Sequence, residues 1–248
     1  MHVVNGMIFS LLILSFSCTE PKNKESFQIS GKIENTGDRK IIFREIDVES
    51  YRNIDSVILD DIGLFRFTFS SKEEGFFVLK FSTGEQIVLL TRNGEDVFIE
   101  TDLSRKPFIY TVKGSPGSSA LQEFYAETEK NISKADSLRS VLMLNRESPD
   151  FYQLSLSFDT LFMKIIEDQK VIQKTFIEEN HGSLASILVL NYKFGLVPVL
   201  NIKDDFAVYQ GIDSVLMKKY PSNKHVLFHH QRVLGFLRQE KEKEMLKK

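Results

Sequence analysis

Three histidines crowd one stretch near the C-terminus of this 248-residue chain: His225, His229 and His230. The first two are four residues apart, so a helix would carry both imidazoles on one face, where a neutral pair can ligate a metal such as zinc. The metalloprotease pattern also needs a carboxylate beside the first histidine, but Val226, Leu227 and Phe228 fill the interval. His225 and His229 thus stand as candidate metal ligands or as the basic groups of a hydrolase. The plainer expectation is a helix-packing seam or a solvent-facing pair, and no metal or cofactor is assigned.

The other candidates for chemistry have plain structural readings. Asp60-Asp61 and Glu73-Glu74 are paired carboxylates suited to acid/base work or a hard cation, yet both fall at turn signals, where Asp makes local backbone bonds and Glu is solvated. Gly114-Ser-Pro-Gly-Ser-Ser119 precedes a helical pattern and has backbone N–H groups to offer an anion. It lacks the lysine of a phosphate loop and the GxGxxG spacing, so it reads as a domain-junction loop. No serine stands in a GxSxG elbow, and no Ser–His–Asp order is recognisable. No catalytic residue is assigned, and the chain is not expected to be an enzyme.

Cysteine usage narrows the field further. Cys18 is the only cysteine, which excludes an intramolecular disulfide framework, a CxxC redox pair and a cysteine-built zinc site. It ends the apolar run Met7–Ser17, too short for the roughly 20 residues that span a bilayer. A short apolar segment at the N-terminus reads as a secretory signal. Leu14-Ser15-Phe16-Ser17-Cys18 resembles a loose bacterial lipobox, although Ser15 replaces the usual Leu and no Lys or Arg precedes the run. That resemblance makes Cys18 the acylated first residue of a mature lipoprotein, anchored by its acyl chains on the periplasmic side of the outer membrane. The net charge of -2 carries no basic excess, so no nucleic-acid partner is expected.

The elements that must position these groups come in two blocks. Residues 1–17 read as signal peptide and 18–26 as tether. From 27 to 114 apolar residues alternate, as in Phe27, Ile29, Gly31 and Ile33, or Phe65, Phe67 and Phe69. Alternation marks half-buried strands. Turn signals such as Asn35-Thr-Gly-Asp38 and Asn93-Gly94 recur between them, and Asn-Gly predicts a type I′ hairpin. About eight strands in this pattern predict an antiparallel sandwich or barrel, with the Phe rows as core. From 115 to 248 the period becomes 3.6. Ser119 with Gln122 has capping-box spacing. Two long amphipathic runs, Leu121 to Leu142 and Phe151 to Phe176, predict an antiparallel helix hairpin ended by His181-Gly182. Three further helices are expected: from Ser183 to Phe194, from Asp204 to Lys219, and from about Ser222 into a charged tail. The fold class is therefore α+β, a sandwich followed by about five helices.

The segments FQISGKIENTG, DSVILDDIGLFRFTF, GFFVLKF, YTVKGSPGSSALQEF and FIEENHGSLASILVL together resemble one family. It is the N-terminal β-sandwich module of unknown function, with its helical region, of envelope lipoproteins that carry a C-terminal thioredoxin-like domain of the alkyl-hydroperoxide-reductase and thiol-disulfide-oxidoreductase type. The redox chemistry that the resemblance implies needs a CxxC pair, and no cysteine follows Cys18. None of the family's catalytic residues has a matching position. The expected function is a non-catalytic binding or scaffold lipoprotein, with a thioredoxin-like protein supplied in trans as the implied partner. The alternative is a remnant of such an oxidoreductase without its redox domain.

Overall fold

Alternating apolar side chains and short turns give the first half of the chain its strands. The computed structural model describes residues 25–35 and 40–247. Cys18, the signal run, most of the tether and part of the Asn35–Asp38 turn lie outside the described residues. Eight strands follow: β1 (Phe27–Glu34), β2 (Lys40–Ile46), β3 (Tyr51–Ile58), β4 (Leu64–Phe69), β5 (Gly75–Phe81), β6 (Gln86–Thr91), β7 (Asp96–Asp102) and β8 (Tyr110–Lys113). They form two four-stranded sheets, ordered β4-β1-β7-β8 and β3-β2-β5-β6.

The expected sandwich is present, with two local corrections. First, β1 and β7 pair in parallel, Gln28 opposite Asp96 through Glu34 opposite Asp102, while every other neighbouring pair in the two sheets is antiparallel. Five intervening strands supply the long connection that a parallel pair requires, so no crossover helix is needed. Second, Asn93-Gly94 closes no hairpin. It joins β6 to β7 in the other sheet, and only Gly94 has a positive φ, of 87°.

The Phe rows fill the space between the sheets. Phe27, Phe43, Phe65, Phe67, Phe77 and Phe81 are all buried in one cluster. Phe27 lies 4.8 Å from Phe77, and Phe43 stacks on Phe67 at 5.1 Å, separations at which aromatic pairs add to plain burial. The β5 sequence GFFVLKF is apolar almost throughout because both its faces are covered. Phe77, Leu79 and Phe81 enter the sandwich core, while Phe76 turns the other way into a second core shared with the helices.

Five helices complete the chain: α1 (Pro116–Leu144), α2 (Phe151–Glu179), α3 (Ala185–Leu190), α4 (Phe206–Lys219) and α5 (Lys224–Leu246). A two-residue hairpin, β9 (Lys193–Phe194) and β10 (Val197–Pro198), separates α3 from α4. The expected third helix is thereby cut short at Leu190; the Asn191 side chain donates to the Ile187 carbonyl at 2.7 Å, and Gly195 turns the chain at φ 62°. The expected caps also move. Asn180 ends α2, its side chain donating to the Phe176 carbonyl, and Gly182 does not take a positive φ. Ser115, not Ser119, is the N-cap of α1, with Pro116 in the first turn, where its missing N–H costs nothing.

That cap also fixes α1 to the sandwich. The Ser115 and Ser118 hydroxyls both donate to the Leu90 carbonyl, at 2.8 and 2.9 Å, and the Leu90 N–H donates to Ser118 Oγ at 3.1 Å. Both hydrogen-bonding groups of this peptide position on edge strand β6 are thus paired, which also blocks edge-to-edge association there. A Cβ on Gly117 would sit 2.9 Å from the Leu90 side chain, so only glycine allows the approach. Among the described residues, no helix is long and apolar enough to cross a membrane.

Candidate functional site

Helix α5 begins against the sandwich. The Asn223 side chain accepts from the His225 N–H at 3.0 Å and donates to the Glu74 carbonyl at 3.0 Å. Lys224 pairs with Glu45 at 2.6 Å and Asp47 at 3.1 Å, tying the same turn to β2 and the loop after it. One face of α5 then presents His225, His229 and Arg232, spaced at i, i+4 and i+7. All three line a cavity of about 570 Å³ whose walls include Phe76, Ile187 and Tyr192.

The two histidines are buried and neutral. The ring of His225 meets Phe76 edge-on at 4.9 Å, and burial pushes its pKa down to about 4. His229 stacks on Tyr209 at 5.9 Å, and its pKa is also lowered by burial. Its Nε2 lies 2.9 Å from the Tyr209 carbonyl. A carbonyl can only accept, so Nε2 carries the hydrogen and Nδ1 a lone pair. His229 Nδ1 and His225 Nε2 have no hydrogen-bond partner. His230 leaves this face and pairs with Asp213 at 2.9 Å.

The structure thus brings His225 and His229 together and separates His230 from them. Among the described residues, no group of three or more His, Cys, Asp or Glu could hold a metal ion. Among the described residues that line the cavity, the hydroxyl groups are the phenols of Tyr125 and Tyr192. The arrangement supplies two imidazole acceptors beside a guanidinium. Arg232 donates to the Asn191 side chain and lies 5.7 Å from the Tyr209 ring centroid. Sequence reading overlooked Arg232, although its spacing from His229 was visible.

The carboxylate pairs have structural partners. Asp60 Oδ1 accepts from the Ile62 and Leu64 N–H groups, at 3.1 and 2.9 Å, as a turn-forming Asp does. Glu73 and Glu74 are half-buried rather than solvated, because their turn receives the start of α5 through Asn223 and Lys224. In the Gly114–Ser119 segment the Ser118 N–H donates to Ser115 Oγ at 3.3 Å and the Ser119 N–H to the Ser115 carbonyl at 2.9 Å, so both serve the helix cap.

Two polar arrangements between helices left little signal in the sequence. Gln169 donates to Thr128 at 2.9 Å and accepts from Asn131 at 3.1 Å, which fixes the register of α1 on α2. Asp205, at the start of α4, takes Lys170 and Lys174 of α2 at 2.8 and 3.0 Å. Burial works to raise its pKa, but the two ammonium groups and the Asn201 N–H outweigh it and hold the carboxyl below its usual range.

Beyond these contacts Phe162 of α2 meets Phe194 of β9 at 6.0 Å and Leu138 of α1 packs on the same cluster; past that point the α1/α2 hairpin projects. The last buried residue of α1 is Ala135 and the first of α2 is Ile165, so positions 136–164 contain none. At 1.5 Å per residue each 29-residue helix is about 44 Å long, so roughly a third of α1 and half of α2 form an arm. The arm exposes Val141, Leu144, Tyr152, Leu156, Leu161 and Met163, with Leu144 at 86%.

No curated protein matches the chain. One family match covers all eight strands of the sandwich, the serine junction and the start of α1 as far as the buried Leu121. Residues 27–121 match the family model described as Domain of unknown function (DUF4369).

Proposed function

We propose that this protein is a lipid-anchored component of the bacterial cell envelope that acts without catalysis, as a binding or scaffold module. The projecting arm, with no fully buried residue between positions 136 and 164, is the observation that carries the reading. Most helical stability in proteins comes from packing an amphipathic face, and two helices alone cannot cover one another's apolar residues. Tyr152, Leu156 and Met163 fall within about 40° of one another round α2, and an exposed apolar stripe of this kind marks an interaction site. Each large side chain that a partner covers fully is worth about 1.5–3 kcal/mol. The sandwich, sealed by its own Phe core, acts as the base that orients the arm.

The proposed anchor is Cys18, and the proposed partner is a thioredoxin-like envelope protein, supplied in trans. The resemblance of the sandwich and helical segments to lipoproteins that join both parts in one chain supports that choice. A photo-crosslinking side chain placed at Tyr152 in living cells tests it. The expected outcome is an adduct with a thioredoxin-like envelope protein that disappears when Leu156→Glu is added. Absence of any specific adduct counts against the reading. Labelled fatty acid should enter the wild-type chain and not Cys18→Ala; unlabelled wild-type protein would remove the anchor.

A further inference from the structure

A second cavity, of about 590 Å³, lies between α1 and the sandwich. Tyr125, Ala126 and Glu129 form its roof, from one face of α1. Val88 of β6, with Phe108 and Tyr110 at the entry to β8, forms its floor. Its size falls within the roughly 300–1,000 Å³ typical of small-molecule sites, and these walls are mostly apolar.

Polar side chains interrupt that lining, among them Gln86, Gln122, Thr128, Glu129 and Lys130. Tyr110 is only 7% exposed, and its buried hydroxyl has no hydrogen-bond partner. That oxygen is closed off from the cavity by its surroundings, so an occupant meets the Tyr110 ring and not its hydroxyl. Glu129 brings a half-buried carboxyl to the same cavity, and burial raises its pKa. Two cations stand nearby and both are already paired, Lys130 with Glu127 at 2.6 Å and Lys106 with Glu85. The charge left to act on an occupant is therefore negative, which disfavours carboxylates and phosphates.

We propose that this cavity binds a neutral, apolar small molecule, its body between α1 and Val88. The site is independent of the arm, so either assignment can fail without the other.

Dye titration of the full chain carrying Cys18→Ala tests the proposal, with neutral Nile red and anionic anilinonaphthalene sulfonate as probes. Saturable binding of one Nile red per chain is expected, at least about tenfold tighter than the anionic dye. Ala126→Trp, at an exposed helix position, should weaken Nile red about tenfold or more with the helical signal unchanged. Tyr110→Phe should leave Nile red affinity unchanged while raising the unfolding midpoint of the free protein. Glu129→Gln should narrow the gap between the dyes, and Leu156→Glu on the arm should change neither affinity. Nile red binding that survives Ala126→Trp, or that is lost in Leu156→Glu, overturns the proposal. Equal affinity for both dyes overturns the neutral-ligand assignment.

Discussion

The sandwich and the helical arm handle apolar surface in opposite ways. Between the sheets, Phe27, Phe43 and Phe77 are each at most 1% exposed, with ring pairs at 4.8 to 6.5 Å. On the arm, Phe158 and Phe162 stack at 5.7 Å but remain half-buried, and Leu144 and Tyr152 face solvent. One region has used its apolar side chains to fold; the other holds them in reserve. The partner-binding capacity proposed for the protein belongs to the second region, and stability belongs to the first.

The sharpest way to break this comparison is to delete one ring from each region. Phe77→Ala should cost about 3–5 kcal/mol in urea denaturation, whereas Phe158→Ala should cost about 1 kcal/mol or less. Similar losses would mean that the arm is as much a part of the cooperative core as the sandwich.

A pH series examines the seam where the two regions meet. The imidazole of His225 titrates near 6.5 when unfolded and near 4 when buried against Phe76. Between those values the unfolded chain takes up a proton that the folded chain refuses. Its contribution to stability is therefore complete above about pH 6.5 and declines as the pH falls towards 4, by on the order of 3 kcal/mol. His225→Gln should flatten that part of the curve. If wild-type and variant curves run parallel, His225 is not the group responsible.

The smallest expected effect is on the arm itself. Leu156→Glu and Tyr152→Glu should shift the unfolding free energy by no more than about 0.5 kcal/mol, because neither side chain leaves a buried site. A loss comparable to that of Phe77→Ala would erase the distinction between the regions.

Local pattern was a good guide to strands and helices and a poor one to their assembly. The alternation of Phe65, Phe67 and Phe69 marked β4 because one face of that strand meets the core. Asn93-Gly94 misled, since a turn signal does not state whether the next strand returns to the same sheet. The cap of α1 was displaced to Ser115 because the decisive contact is with Leu90, 25 residues earlier. Histidine spacing on α5 located a cavity face, but the depth of His225 and His229 comes from Phe76 and Tyr209, on other elements. Neither the exposure of the arm nor the orphaned Tyr110 hydroxyl is written in periodicity; both depend on what other elements leave uncovered.

The double-serine grip on Leu90 has a mechanical consequence. A helix about 44 Å long magnifies any wobble at its root, so a tilt of one degree displaces the far end by roughly 0.8 Å. Three hydrogen bonds at a single peptide position, on the rim of a rigid sheet, set the aim of the whole lever. Losing one hydroxyl there would blur where the tip points long before it loosened the sandwich.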